Sequence, residues 1–171
     1  TPGGLTVAQY NANPFQNTRP TDSWDGERRG LDLGYINTIS DTQEFEIRAY
    51  YNDSSRSSRL INAAQTQINY QPRNYQTLGI EPRYTQRFAL GSSTHDVTVG
   101  YRFIRERGDD NSSLLNLSTN VMGATTSFDN ATDAHAGYID DRIAIGAWRI
   151  TPGVRFEHIK SERDDRSGAQ R

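Results

Sequence analysis

The 171-residue sequence contains no cysteine, which excludes disulfides and thiolate metal sites. It has no apolar run near 18 residues, so no transmembrane helix is expected. Hydrophobic residues are scarce, at 33% of the chain with a mean hydropathy of -0.83. An average domain is nearer half apolar, so a conventional core built from this chain is thin. Neither sign of charge dominates: 19 Lys and Arg face 21 Asp and Glu, for a net charge of -2. With no basic run and no recognised motif, nucleic acid is not expected as a partner. The histidines His95, His135 and His158 each stand alone in their segments. Without a helical i,i+4 partner or a thiolate they predict no metal site. The pairs Asp109-Asp110, Asp140-Asp141 and Asp164-Asp165 lack calcium-loop spacing, and the first and last read as hydrated loops. No nucleophile elbow is present, and no catalytic residue is expected. The chain opens on "TPGGLTVAQY" without a signal-peptide pattern and reads as a piece of something longer.

What is present is aromatic and alternating. The 9 Tyr, 6 Phe and 2 Trp are many for a disordered chain. Six segments alternate with period 2, the signature of strands with two unlike faces: 29–39, 44–52, 73–88, 96–106, 134–146 and 148–158. In the fourth, Val97, Val99, Tyr101 and Phe103 oppose Asp96, Thr98, Gly100 and Arg102. In the third, Leu78, Ile80, Tyr84 and Phe88 oppose Gly79, Glu81, Arg83 and Arg87, and Pro82 predicts a bulge or an edge. In the fifth, Asp141 breaks the apolar row.

The connections alternate as well. Short turns are predicted at 40–43, 91–94 and 146–148, and long polar loops at 53–75 and 107–132. The stretches 1–26 and 160–171 read as polar loops. Alternation alone leaves a soluble antiparallel β domain open. The short–long rhythm favours an all-β, antiparallel, up-and-down transmembrane β-barrel segment, with short periplasmic turns, long extracellular loops, an apolar exterior and a polar lumen. Each segment is close to the ~9–11 residues that a tilted strand needs to cross a bilayer. Tyr35, Tyr51, Tyr84, Tyr101 and Trp148 are placed on or near strand ends, where aromatic girdles sit. The lumenal charges Asp32, Glu46, Arg48, Glu81, Arg83, Arg87, Arg102 and Arg155 are expected to pair with one another or to face a plug.

Five blocks, "TPGGLT" (1–6), "NTRP" (17–20), "PRNY…GIEPRYTQ" (72–86), "DAHAGYIDD" (133–141) and "ITPGVRFEHI" (150–159), run in order along the chain. In them the sequence resembles the ferric citrate branch of the TonB-dependent receptors of Gram-negative outer membranes. The resemblance implies a 22-stranded barrel around a plug, of which residues 1–171 supply about six middle strands. It implies active import of a ferric chelate, ferric citrate or a similar carboxylate siderophore, with energy from the TonB complex acting through a plug that this chain does not contain. Outer-membrane lipid is the implied surroundings. No cofactor is implied, iron entering only as part of the transported chelate. A passive porin and a soluble β-sheet binding module are the competing functions. The resemblance also implies that Arg56 and Arg73 contact the ligand, because a guanidinium fork matches carboxylate oxygens. A third ligand arginine of the family falls at about Thr126, and no arginine lies between 108 and 141.

Overall fold

A computed structural model describes residues 4–168. A short helix, α1 (Val7–Ala12), is capped by Thr6, whose hydroxyl accepts from the Gln9 amide while the Gln9 side chain returns to the Thr6 amide. Eight strands follow: β1 (Ser23–Ser40), β2 (Gln43–Ile61), β3 (Gln67–Leu90), β4 (Ser93–Asn116), β5 (Val121–Met122), β6 (Thr126–Ile145), β7 (Trp148–Ile150) and β8 (Gly153–Asp165). They form one antiparallel sheet in the order β1-β2-β3-β4-β6-β7, with β5 beside β4 and β8 beside β6. β7 and β8 pair with β6 in a single register, Ile143↔Ile150 and Asp140↔Gly153. They are therefore one strand, interrupted where Pro152 has no N–H to give. Up-and-down order and six topological strands match the sequence reading.

The loops do not. The segment expected to be a loop at 53–75 is strand as far as Ile61 and again from Gln67, leaving a tight turn. There the Asn62 side-chain oxygen accepts from the amides of Thr66 and Gln67, and Gln65 takes a left-handed φ of 55°. The expected loop at 107–132 is likewise mostly β4 and β6, and the C-terminal stretch is strand to Asp165. The N-terminal stretch holds α1 and the start of β1, while residues 1–3 and 169–171 lie outside the described residues. At the opposite end of the sheet the turns are as short as expected. Gly91 and Gly146, at φ 59° and 54°, supply the left-handed corner that a two-residue hairpin needs.

Pro82 is neither a bulge nor an edge. It lies in a central strand, and the β3–β4 ladder simply lapses there, resuming in the same register from Ile80↔Phe103 to Arg83↔Gly100. The missing donor costs one ladder bond and moves no side chain to the other face.

One face carries apolar rows such as Phe45–Tyr84–Val99–Ile139–Val154. These side chains are open: Val99 is 51% exposed, Phe156 74% and Leu33 60%. Among the described residues only Ile68 and Ala136 are buried hydrophobics, and no large side chain is fully buried. A soluble sandwich would bury this face against a second sheet, and the described residues form a single sheet. Lipid is the solvent that fits it. The apolar row ends at Leu31–Tyr51–Leu78–Arg105–Asp133–Lys160, where charge takes over. Tyr51 and Trp148 fall near the two limits of the band. Tyr35, Tyr84 and Tyr101 lie mid-strand rather than at strand ends, because the strands run well past the lipid.

Asp141 faces outward within this band, and the structure gives its reason. Its Oδ2 lies 2.7 Å from His95 Nδ1, and the His95 ring stacks on Phe88 at 5.0 Å. His95 is thus a structural partner.

The other face is an ion-pair lattice. Arg48 pairs with Asp32, Arg83 with Glu46, Arg102 with Glu81, Arg87 with Asp96 and Arg155 with Glu157. Three tyrosines on this face lie across a glycine directly opposite in register: Tyr50 over Gly79, Tyr138 over Gly100 and Tyr75 over Gly108. A Cβ at Gly79 would clash with the Tyr50 ring at Cζ. Displacing that ring would break its hydroxyl contacts with Glu81 at 3.3 Å and Arg102 at 3.4 Å. Gly79→Val is expected to lower stability by about 1–2 kcal/mol, read as a lower urea midpoint for the complete protein in lipid vesicles. An unchanged midpoint would show that the ring moves freely.

Candidate ligand site at the outer mouth

Beyond the apolar band, β2, β3 and β4 continue as a polar ribbon on the side of the long hairpins. In a transmembrane barrel the short turns are periplasmic and the long connections extracellular. This end is therefore the outer mouth.

The two arginines singled out by resemblance are neither in loops nor apart. Arg56 on β2 and Arg73 on β3 are directly opposite in register, on the lumenal face. Directly opposed residues hold their Cβ atoms roughly 4.5–5.5 Å apart, and like charges there repel. The register extends this row to Gly26 on β1 and Asp110 on β4. Beyond Asp110 the row runs through Phe128 on β6 to Asp165 on β8, so Asp110 is the anion beside Arg73, whose Nε is 3.4 Å from Asp110 Oδ1. Arg56 is exposed and makes no hydrogen bond or ion pair among the described residues. The sum of Arg56, Arg73 and Asp110 is a local charge of about +1.

Tyr75 completes the arrangement. It crosses Gly108 to donate from its hydroxyl to Asp110 Oδ1 at 2.8 Å. Partial burial, then the neighbouring Asp110 carboxylate, push the Tyr75 phenol above its ordinary value, so it stays a donor at neutral pH. The groove around Arg56 is lined by Trp24, Arg28, Asn52 and Tyr75, and deeper in by Arg102 and by Glu106, whose carboxylate accepts from the Thr77 hydroxyl at 3.3 Å. Arg28 is held by Asn52, whose Oδ1 accepts from Nη2 at 2.9 Å. Arg73 does not line this groove itself. It stands at the groove's edge, tied to Asp110.

Asp110, Tyr75 and Arg28 were not identified from sequence as site residues. The Asp109-Asp110 pair is no hydrated loop: Asp109 faces outward to Asn74, while Asp110 faces the lumen. Asp165 likewise ends a strand and accepts from the Ser167 amide. Thr126 opens β6 opposite Ser112, on the lumenal face and without a cation. Among the described residues no cluster of His, Cys, Asp and Glu has the shape of a metal site.

Residues 1–170 match the family model for the TonB-dependent receptor-like β-barrel. The chain belongs to that family. Among solved structures, it superposes on the unliganded ferric citrate transporter FecA with a TM-score of 0.87 and 40% identity, over 96% of this chain and 25% of that one. The siderophore receptor PiuA of Acinetobacter baumannii matches with a TM-score of 0.70 at 14% identity, over 84% of this chain and 27% of that one. The ferric-catecholate import receptor Fiu of E. coli K12 matches with a TM-score of 0.68 at 16% identity, over 94% and 28%. The last two show the fold alone. The chain spans about a quarter of the length of these receptors. A TonB-dependent receptor barrel sits in the outer membrane of a Gram-negative cell, which is the lipid that the apolar face requires.

Proposed function

We propose that this chain is a middle stretch of the barrel wall of an outer-membrane receptor that binds and imports a ferric chelate, ferric citrate or a close carboxylate analogue. The observation that carries the reading is the Arg56–Arg73 pair: two arginines set directly opposite by register, with one carboxylate, Asp110, on the far side of Arg73. Strand pairing alone disfavours such a pair, whereas a multiply anionic ligand turns its repulsion into attraction. The 40% identity to FecA over nearly the whole chain supports citrate among anionic cargoes. We further propose that residues 1–171 form one partial domain, whose end strands β1 and β8, exposed at every position, continue into further strands of a closed barrel. Energy then comes from the TonB complex through a plug that packs against the lumenal ion-pair lattice.

The test is direct. In the complete receptor, Arg56→Ala and Arg73→Ala are each expected to weaken ferric citrate binding by about 1.5–3 kcal/mol, the range for hydrogen bonds to charged groups. That is roughly a 10- to 150-fold rise in Kd by titration calorimetry. Wild-type affinity in both variants would remove the pair from the site. Deleting the gene should abolish growth on ferric citrate as sole iron source, and restoring it should return growth.

A further inference from the structure

We infer that Asp110 is a built-in competitor for the incoming anion: it neutralises Arg73 while the site is empty and must release that arginine when the chelate binds. The inference rests on the ferric chelate reading above and adds a residue that sets the affinity. Three observations carry it. Asp110 is directly opposite Arg73 in register on the lumenal face, so the strands themselves bring the two charges together. Both of its contacts, from Arg73 at 3.4 Å and from Tyr75 at 2.8 Å, fall on the single oxygen Oδ1. The neighbouring Arg56 makes no ion pair among the described residues.

The consequences follow from charge. At 3.4 Å the Arg73 contact is looser than the usual charge-assisted hydrogen bond of about 2.7–2.9 Å. It is an ion pair that an anion with several carboxylates can outbid. Tyr75, bonded to the same oxygen, keeps Asp110 in place as Arg73 leaves. The fixed carboxylate then repels whatever anion has taken the arginine. Asp110 therefore lowers affinity, and it protects the empty site from small monovalent anions, which cannot displace it.

The experiment is ferric citrate binding to the complete receptor in detergent, comparing wild type, Asp110→Asn, Arg73→Ala and the double variant. Folding of each is verified by the heat-dependent gel shift of an intact barrel. Asparagine keeps a carbonyl oxygen for the Tyr75 hydroxyl while removing the charge. Asp110→Asn is expected to bind about three- to tenfold more tightly, with a steeper loss of affinity as salt rises. The gain should shrink in the Arg73→Ala background, where no arginine remains to be released. A purely structural role predicts the reverse, weaker binding in Asp110→Asn. Weaker or unchanged binding in a folded variant overturns this inference and leaves the chelate reading intact. A folded wild type that binds no ferric citrate overturns both.

Discussion

Val99→Arg, introduced into the complete receptor, is expected to destabilise the folded barrel by about 2–4 kcal/mol, the cost of a cation facing mid-bilayer from a barrel wall. Val99 is flanked in register by Tyr84 on β3 and Ile139 on β6, and two apolar rows lie between it and the charged limit at Arg105. A guanidinium there cannot readily reach the polar rim, and the diagonal carboxylate of Asp141 is already held by His95, so a half-exposed valine becomes a poorly solvated charge in hydrocarbon. Thr98→Arg is the control. Thr98 is next in the strand, so its side chain faces the lumen, where its hydroxyl meets that of Thr85 at 3.1 Å. An arginine on that wet face should cost far less. Urea unfolding in lipid vesicles measures both. Equal cost at the two positions would overturn the assignment of faces, and with it the membrane reading of the sheet.

His95→Leu is the second large effect, expected to cost about 2–4 kcal/mol because it leaves a carboxylate unpaired on the lipid face. Asp141 Oδ1 is buried without a hydrogen-bond partner, so Oδ2 and its 2.7 Å contact with His95 carry the compensation for that carboxyl. Breaking one member of such a pair is costly, whereas replacing both by apolar groups is often neutral. The double variant His95→Leu, Asp141→Leu should therefore recover most of the loss, and the stacking surface of Phe88 remains for the leucine to cover. A single variant as stable as wild type, or a double variant no better than the single, would show that the pair does not matter to the fold. The pair also illustrates how a lone polar residue in a strand pattern is read. Asp141 breaks the apolar row in the sequence, but nothing there connects it to a histidine 46 residues earlier. The β4–β6 register makes that connection.

The outer mouth shows the same division of information. Arg56 and Arg73 were recognisable by resemblance, but their juxtaposition was not. The intervening residues carry no apolar alternation, so 53–75 reads as loop although most of it is strand. Period 2 is visible in a sequence only where the two faces meet different solvents. Inside the bilayer one face meets lipid and the other meets the lumen, and the pattern is sharp from Leu78 to Phe88. Above the bilayer both faces of β3 meet water, Asn74 and Gln76 on one and Arg73 and Tyr75 on the other, and the pattern vanishes while the strand continues. Asp110 was hidden for the same reason. Its outward neighbour Asp109 is equally polar, so the sequence cannot say which of the two faces Arg73.

By itself, then, the sequence determined the architecture within the membrane: six strands, their two faces, the short periplasmic turns and the absence of a conventional core. Each of these is a local consequence of which solvent a side chain meets. Only the tertiary structure decided the length of the strands beyond the lipid and the pairing of Asp141 with His95. It alone brought Arg56, Arg73 and Asp110 into one row. Those facts depend on register, and register is fixed by hydrogen bonding between strands far apart in the chain, which no single stretch of sequence records.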